Sequence, residues 1–99
     1  MTLGEALDSA AAELEGVERR DAGGAREFVV RGRVVALVAG AVAEFALDPA
    51  VAAAALRTPD TAPSPRGDGW VAFAPPELDR IALDRATAWL GSACRRVPG

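Results

Sequence analysis

The stretch "REFVVRGRVVALVAG", residues 26–40, decides the fold. It is dense in β-branched residues, and the pair Arg31-Gly32 divides it into two strands. That pair predicts a turn: either a tight one, in which Arg31 must accept backbone angles that a residue with a side chain seldom adopts, or a longer loop. In the first strand Phe28 and Val30 share one face, and Glu27, Val29 and Arg31 share the other. In the second strand both alternating sets, Val34-Ala36-Val38 and Val35-Leu37-Ala39, are apolar. A strand apolar on both faces is central and covered on both sides.

Working outward, "GVERRD" (16–21) and "AVAEFALD" (41–48) extend this hairpin into a meander of four strands, with further turns near Gly23-Gly24 and Gly40. Ahead of it, Thr2 and Glu5 have the spacing of a capping box, and Leu3, Leu7, Ala10, Ala11 and Leu14 recur at helical spacing until Gly16. The acids Glu5, Asp8, Glu13 and Glu15 fill the other side of that helix and read as a solvated surface. After the meander, Asp48-Pro49 predicts a helix start, with an N-cap acceptor and a proline in the first turn. The helix should run from Ala50 to Arg57 and pack through Val51, Ala55 and Leu56. "TPDTAPSP" (58–65) carries three prolines in eight residues and is expected to be a surface loop. It leads to a fifth strand over Trp70 to Phe73. The series Leu78, Ile81, Ala82, Arg85, Ala86, Trp89, Leu90, Ala93, Val97 then predicts one helical turn followed by a long helix from Asp84, ended by Pro98.

The order α-β-β-β-β-α-β-α over residues 1–99 predicts a single α+β domain: one antiparallel sheet of about five strands with helices packed mainly on one face. A second face holding Val29 and part of the third strand's apolar set in the open would seek a partner. A homodimer through the sheet is therefore expected.

Composition narrows the chemistry. The chain has no His, Lys, Tyr, Asn or Gln. Without imidazole there is no histidine-based triad or zinc site, and without lysine no Schiff base. The eleven basic residues are all Arg, set against fourteen acids for a net charge of -3, so the total charge gives no general attraction to polyanions. The single cysteine, Cys94, forms no internal disulfide and suits a reducing compartment. The acidic opening "MTLGEALDSA" is unlike a signal peptide, and no apolar run reaches membrane-spanning length. A cytoplasmic location, without cofactor, metal or membrane, is expected.

Few residues remain as candidates for chemistry. Cys94 follows Leu90 by one helical turn and reads as a buried structural cysteine. Ser64 has no base, there is no Gly-x-Ser-x-Gly elbow or phosphate loop, and Asp79 and Asp84 have no metal-ligand company. "SPRGDGWVAF" (64–73) is foremost turn chemistry, with Pro65 stiffening the loop and Gly67 and Gly69 permitting positive φ. Trp70 is expected in the core; if it is instead partly exposed beside Arg66, the two make a stacking and anion-gripping corner, which is the candidate ligand site. Arg19, Arg20, Arg26, Arg31 and Arg33 are candidates for phosphate contacts. Glu18, Asp21 and Glu27 are interleaved with them, however, which suits paired charges on solvated strands better.

In order and spacing the chain resembles the YjbR/MmcQ-like small proteins. "FVVRGRVVALV" is similar to that family's strand-turn-strand around a Gly-basic pair, with Arg33 where lysine is common. "FALDP" is similar to the strand leading into its second helix, "GWVAF" to its Gly-Trp-Val strand, and "ATAWLGSACRRV" to its last helix. The likeness covers roughly residues 17–97. A small domain described as luciferase-like shares the strand-rich order and the Gly-Trp-Val segment. The resemblance implies a compact α+β fold and a DNA-binding role; the acidic, lysine-free composition departs from the family on the second point. The sequence thus leads to a non-catalytic binding domain, self-association ahead of DNA binding, and third an enzyme limited to carboxylate, Arg, Ser and Cys groups.

Overall fold

The structure is a computed structural model that describes residues 1–98. Its elements are α1 (Leu3–Ala12), β1 (Val17–Ala22), β2 (Ala25–Val30), β3 (Arg33–Ala39), β4 (Val42–Ala46), α2 (Pro49–Ala55), β5 (Thr61–Pro63), β6 (Trp70–Phe73) and α3 (Arg80–Arg95). The strands form one antiparallel sheet in the order β1-β2-β3-β4-β6-β5. The α+β architecture expected from the sequence is present, with six strands rather than five. The addition is β5, inside the proline-rich segment expected to be a loop. Pro63 can lie in a strand there because β5 is outermost, where one side of the backbone needs no ladder partner.

Of the two readings of Arg31-Gly32, the tight turn forms: Arg31 has φ +51° and Gly32 φ +79°, and Val30 pairs directly with Arg33 across it. Positive φ at both central residues is the geometry whose twist matches that of the flanking strands.

Strict alternation fails one step into β3. Phe28 pairs with Ala36 but Val29 with Val34, so Val35 is an extra residue in a β-bulge. Val35 joins Ala36 and Val38 in the core, and Val34 is left half-buried beside Val29.

The core lies between the sheet and the helices. Leu3 and Leu7 of α1 and Ala86 and Leu90 of α3 pack over Phe28, Phe45, Val71 and Phe73. Alanines at Ala6, Ala10, Ala82 and Ala93 let the two long helices lie close to each other and to the sheet. Trp89 meets Phe73 edge-on at 5.0 Å and Phe45 at 6.0 Å. The Arg85 guanidinium covers Phe73 and Trp89, 4.6 and 5.0 Å from their ring centres, and its Nη2 donates to Thr58 Oγ1 and the Pro59 carbonyl. Arg85 thus ties the segment after α2 to α3.

Helix starts follow their local chemistry. The capping box at α1 is complete: Glu5 N donates to Thr2 Oγ1 at 3.1 Å, and Thr2 N donates to Glu5 Oε1 at 2.7 Å. The bond from the Thr2 backbone N–H holds the Glu5 carboxyl below its ordinary 4.5. Its contribution is therefore present above that value and is lost as pH falls through the lower folded value. Thr2→Ala is expected to lower stability by about 1 kcal/mol at neutral pH. Urea unfolding of the two proteins checks this.

At α3, Asp79 accepts from Ala82 N at 2.8 Å, so the helix starts at Arg80 without the separate first turn expected. This start turns Ile81 outward, 70% exposed. In α2 the buried residues are Ala52 and Ala55, and Leu56, expected to pack, is 39% exposed.

Among the described residues no helix packs on the other face of the sheet. Val29 and Leu37 lie there, yet each is only 3% exposed, which corrects the expectation that Val29 stands in the open. Leu37 is in register between Glu27 and Glu44, and each carboxylate carries an arginine: Arg20 Nη2 on Glu27 at 2.8 Å and Arg66 Nε on Glu44 at 3.3 Å. Cross-strand neighbours of this length, held in place by ion pairs, shield the apolar row without a second layer. Among the described residues no helix is long and apolar enough to cross a membrane.

Candidate functional site

The loop from Ser64 to Trp70 is built to hold one indole. Ser64 N donates to the Trp70 carbonyl at 3.0 Å, and Trp70 N donates to the Gly67 carbonyl at 3.2 Å. The buried Ser64 hydroxyl donates to the Glu44 carboxylate and accepts from Arg66 N at 3.2 Å. Glu44 in turn receives Arg66 Nε, and the guanidinium lies 5.7 Å from the centre of the Trp70 ring. Leu47 N donates to the Gly69 carbonyl at 2.9 Å, which fixes the loop to the end of β4. Trp70 is half-buried beside Arg66 and is absent from the core cluster, so the stacked corner forms and core placement of this indole does not.

The indole also lines a cleft of about 290 Å³ at this end of the sheet. Arg33 reaches the cleft from the start of β3, Asp48 from the end of β4, and Arg96 from the end of α3; Val34 and Ala46 add apolar wall. Arg96 Nε contacts Asp48 Oδ1 at 3.3 Å. Asp48 is the N-cap residue of α2 but makes no side-chain cap hydrogen bond, contrary to the acceptor role expected of it. Among the described residues Arg33 has no ion-pair partner. The cleft therefore joins a guanidinium without an ion-pair partner among the described residues, a paired guanidinium and an aromatic face.

The five arginines proposed from sequence as a nucleic-acid surface do not come together. Arg19 and Arg26 both reach Asp8 on α1, the first at 3.7 Å, and Arg26 also binds Asp21 at 3.2 Å, which raises its pKa. Arg20 lies on the opposite face with Glu27. Arg31 in the turn and Arg33 just after it lie at the far end of β2 from Arg26. Only Arg33 belongs to the cleft.

Sequence reasoning identified Trp70 and Arg66 but missed Arg96 and Asp48. Arg96 is 63 residues from Arg33 in the chain, and nothing local marks it; the "DP" signal at Asp48 was read as helix chemistry alone. Cys94 is half-buried, and burial pushes its thiol pKa up, partly offset by Arg95, which suits packing rather than nucleophilic chemistry. Among the described residues no three His, Cys, Asp or Glu side chains are grouped to hold a metal. Compared with protein-family models, curated proteins and solved structures, the chain matches none.

Proposed function

We propose that the protein is a non-catalytic binding domain that takes a small anionic molecule in the Trp70 cleft. The observation that carries this reading is the convergence of Arg33, Arg96 and Trp70 on one concave site. Guanidinium forks match phosphate and carboxylate oxygens, and an indole face offers stacking area beside them. The groups that would have to serve catalysis support the same reading. No imidazole or lysine amine is present to activate a hydroxyl, Ser64 is buried on Glu44, and the Cys94 thiol is disfavoured as thiolate. A cytoplasmic setting is part of the proposal, and the lone cysteine is compatible with it.

Self-association through the sheet has less support. Its main apolar residues, Val29 and Leu37, are already shielded within one chain, and Val42, 39% exposed, is the largest apolar side chain left open there. A DNA-binding role of the YjbR/MmcQ type would rest on Arg31 and Arg33 alone, because the other three arginines are paired.

Calorimetric titration with phenyl phosphate tests the proposal. Binding should weaken with added salt, and Arg33→Ala should reduce affinity about tenfold, as for one lost charge-assisted contact. No binding, or unchanged binding in Arg33→Ala, would sink it. A labelled DNA duplex serves as the comparison: salt-sensitive binding lost on replacing Arg31 and Arg33 would favour nucleic acid instead.

A further inference from the structure

We infer that Asp48 is an internal counter-ion of this cleft, and that its hold on Arg96 makes the cleft select a dianionic group, such as a phosphate monoester on a flat ring, over a monoanion of the same shape. This rests on the cleft being the ligand site. Asp48 stands at the N-terminus of α2, where an Asp side chain ordinarily accepts from the backbone of the first turn. It makes no such bond and lies instead 3.3 Å from Arg96 Nε. The Asp48 carboxylate thus occupies one of the two guanidiniums that line the cleft, while Arg33 has no ion-pair partner among the described residues.

An incoming anion meets both effects of this arrangement. It is attracted by Arg33, but to engage Arg96 it must displace or share the Asp48 carboxylate, whose own charge opposes it. A monoanion offers Arg96 no more charge than Asp48 already does, so it gains little from the exchange. A phosphate monoester in its dianionic form offers more charge on the same three terminal oxygens, so it competes where a sulfate ester does not. The pair is exposed, with the Arg96 and Asp48 side chains 39% and 63% accessible, and an ion pair in that setting is weak enough to exchange. The wall supplied by Trp70, Val34 and Ala46 suits a flat apolar ring bearing the anion. A cleft of about 290 Å³ is at the small end for ligand sites, which points to a small molecule rather than a polymer.

The experiment compares phenyl phosphate with phenyl sulfate, which have the same ring and nearly the same anion shape, by calorimetry on the whole chain. The protein should prefer phenyl phosphate, and that preference should fall below about pH 6, where the phosphate dianion takes up one proton and becomes a monoanion. Asp48→Asn should raise phenyl sulfate affinity about fivefold and narrow the difference between the two ligands, the size expected from releasing one exposed pair. Asn is itself a good N-cap residue, so the fold is preserved; Asp48→Ser provides a second test, and urea unfolding checks both variants. If both ligands lose affinity in Arg33→Ala but their ratio is unchanged in both Asp48 variants, the counter-ion role is wrong and the cleft reading survives. If Arg33→Ala changes neither ligand, the cleft itself is not the site, and both readings fall.

Discussion

Replacing Phe73 by Ala should cost about 3–5 kcal/mol of folding stability, the range for removing a large aromatic from a close-packed interior. Phe73 is fully buried on β6, meets Trp89 edge-on at 5.0 Å and lies under the Arg85 guanidinium at 4.6 Å. Its loss opens a cavity and also removes the surface on which Arg85 rests. Arg85 Nε is already buried without a hydrogen-bond partner, so the stacking contacts are what compensate its desolvation. Domains of this size are stable by only about 5–15 kcal/mol, so the substitution removes a large share of the total. Equilibrium urea unfolding measures it. A loss below about 1 kcal/mol would mean that the aromatic cluster is not the centre of the core.

Gly69→Ala is the second large effect. Gly69 has φ +82°, which by itself strains a residue with a side chain by about 1–3 kcal/mol. An added Cβ would also lie 2.5 Å from the Leu47 carbonyl oxygen, a backbone atom that cannot swing aside. Overpacking of this kind costs typically about 1–3 kcal/mol more, and relief requires breaking the bond from Leu47 N to the Gly69 carbonyl. Gly24→Ala is the control, because its φ is +86° but nothing lies within 4 Å of the added atom. The difference in urea midpoint between the two variants isolates the clash. Because that bond anchors the loop carrying Trp70, Gly69→Ala should also change tryptophan fluorescence, whereas Gly24→Ala should not. Equal destabilisation by both would show that the close approach to Leu47 is not sustained.

The contrast between these glycines shows where the sequence was informative. Signals that depend on neighbouring residues could be read directly: the Thr2-Glu5 capping box, the Arg31-Gly32 turn, Pro49 in the first turn of α2, and the two apolar faces of β3 all have local physical causes. What was misread depends on partners distant in the chain. β5 exists because β6 offers Val71, Ala72 and Phe73 as a ladder, which outweighs three nearby prolines. The bulge at Val35 reflects how β2 and β3 meet over the core, and a period-two pattern does not encode an added residue. The exchange of Asp48 from helix cap to partner of Arg96 is of the same kind, since either role satisfies the carboxylate and only the position of the end of α3 decides. The Trp70–Arg66 corner was legible as a conditional, because the two residues are four apart; the cleft around it, assembled from β3, β4, β6 and α3, was not.

The outermost strands also govern how the protein behaves when crowded. β1 is exposed along nearly its whole length, and its middle residues are Glu18, Arg19, Arg20 and Asp21. At the opposite margin β5 is three residues long and ends in Pro63. A flat six-stranded sheet with bare backbone at both margins would be a template for stacking one chain onto the next into fibres. Charges of both signs along one margin, and a missing N–H at the other, oppose that growth. Edge-to-edge growth is thus opposed by the two strands that contribute least to the core, and the core cluster itself is left to alanine, valine, leucine and phenylalanine.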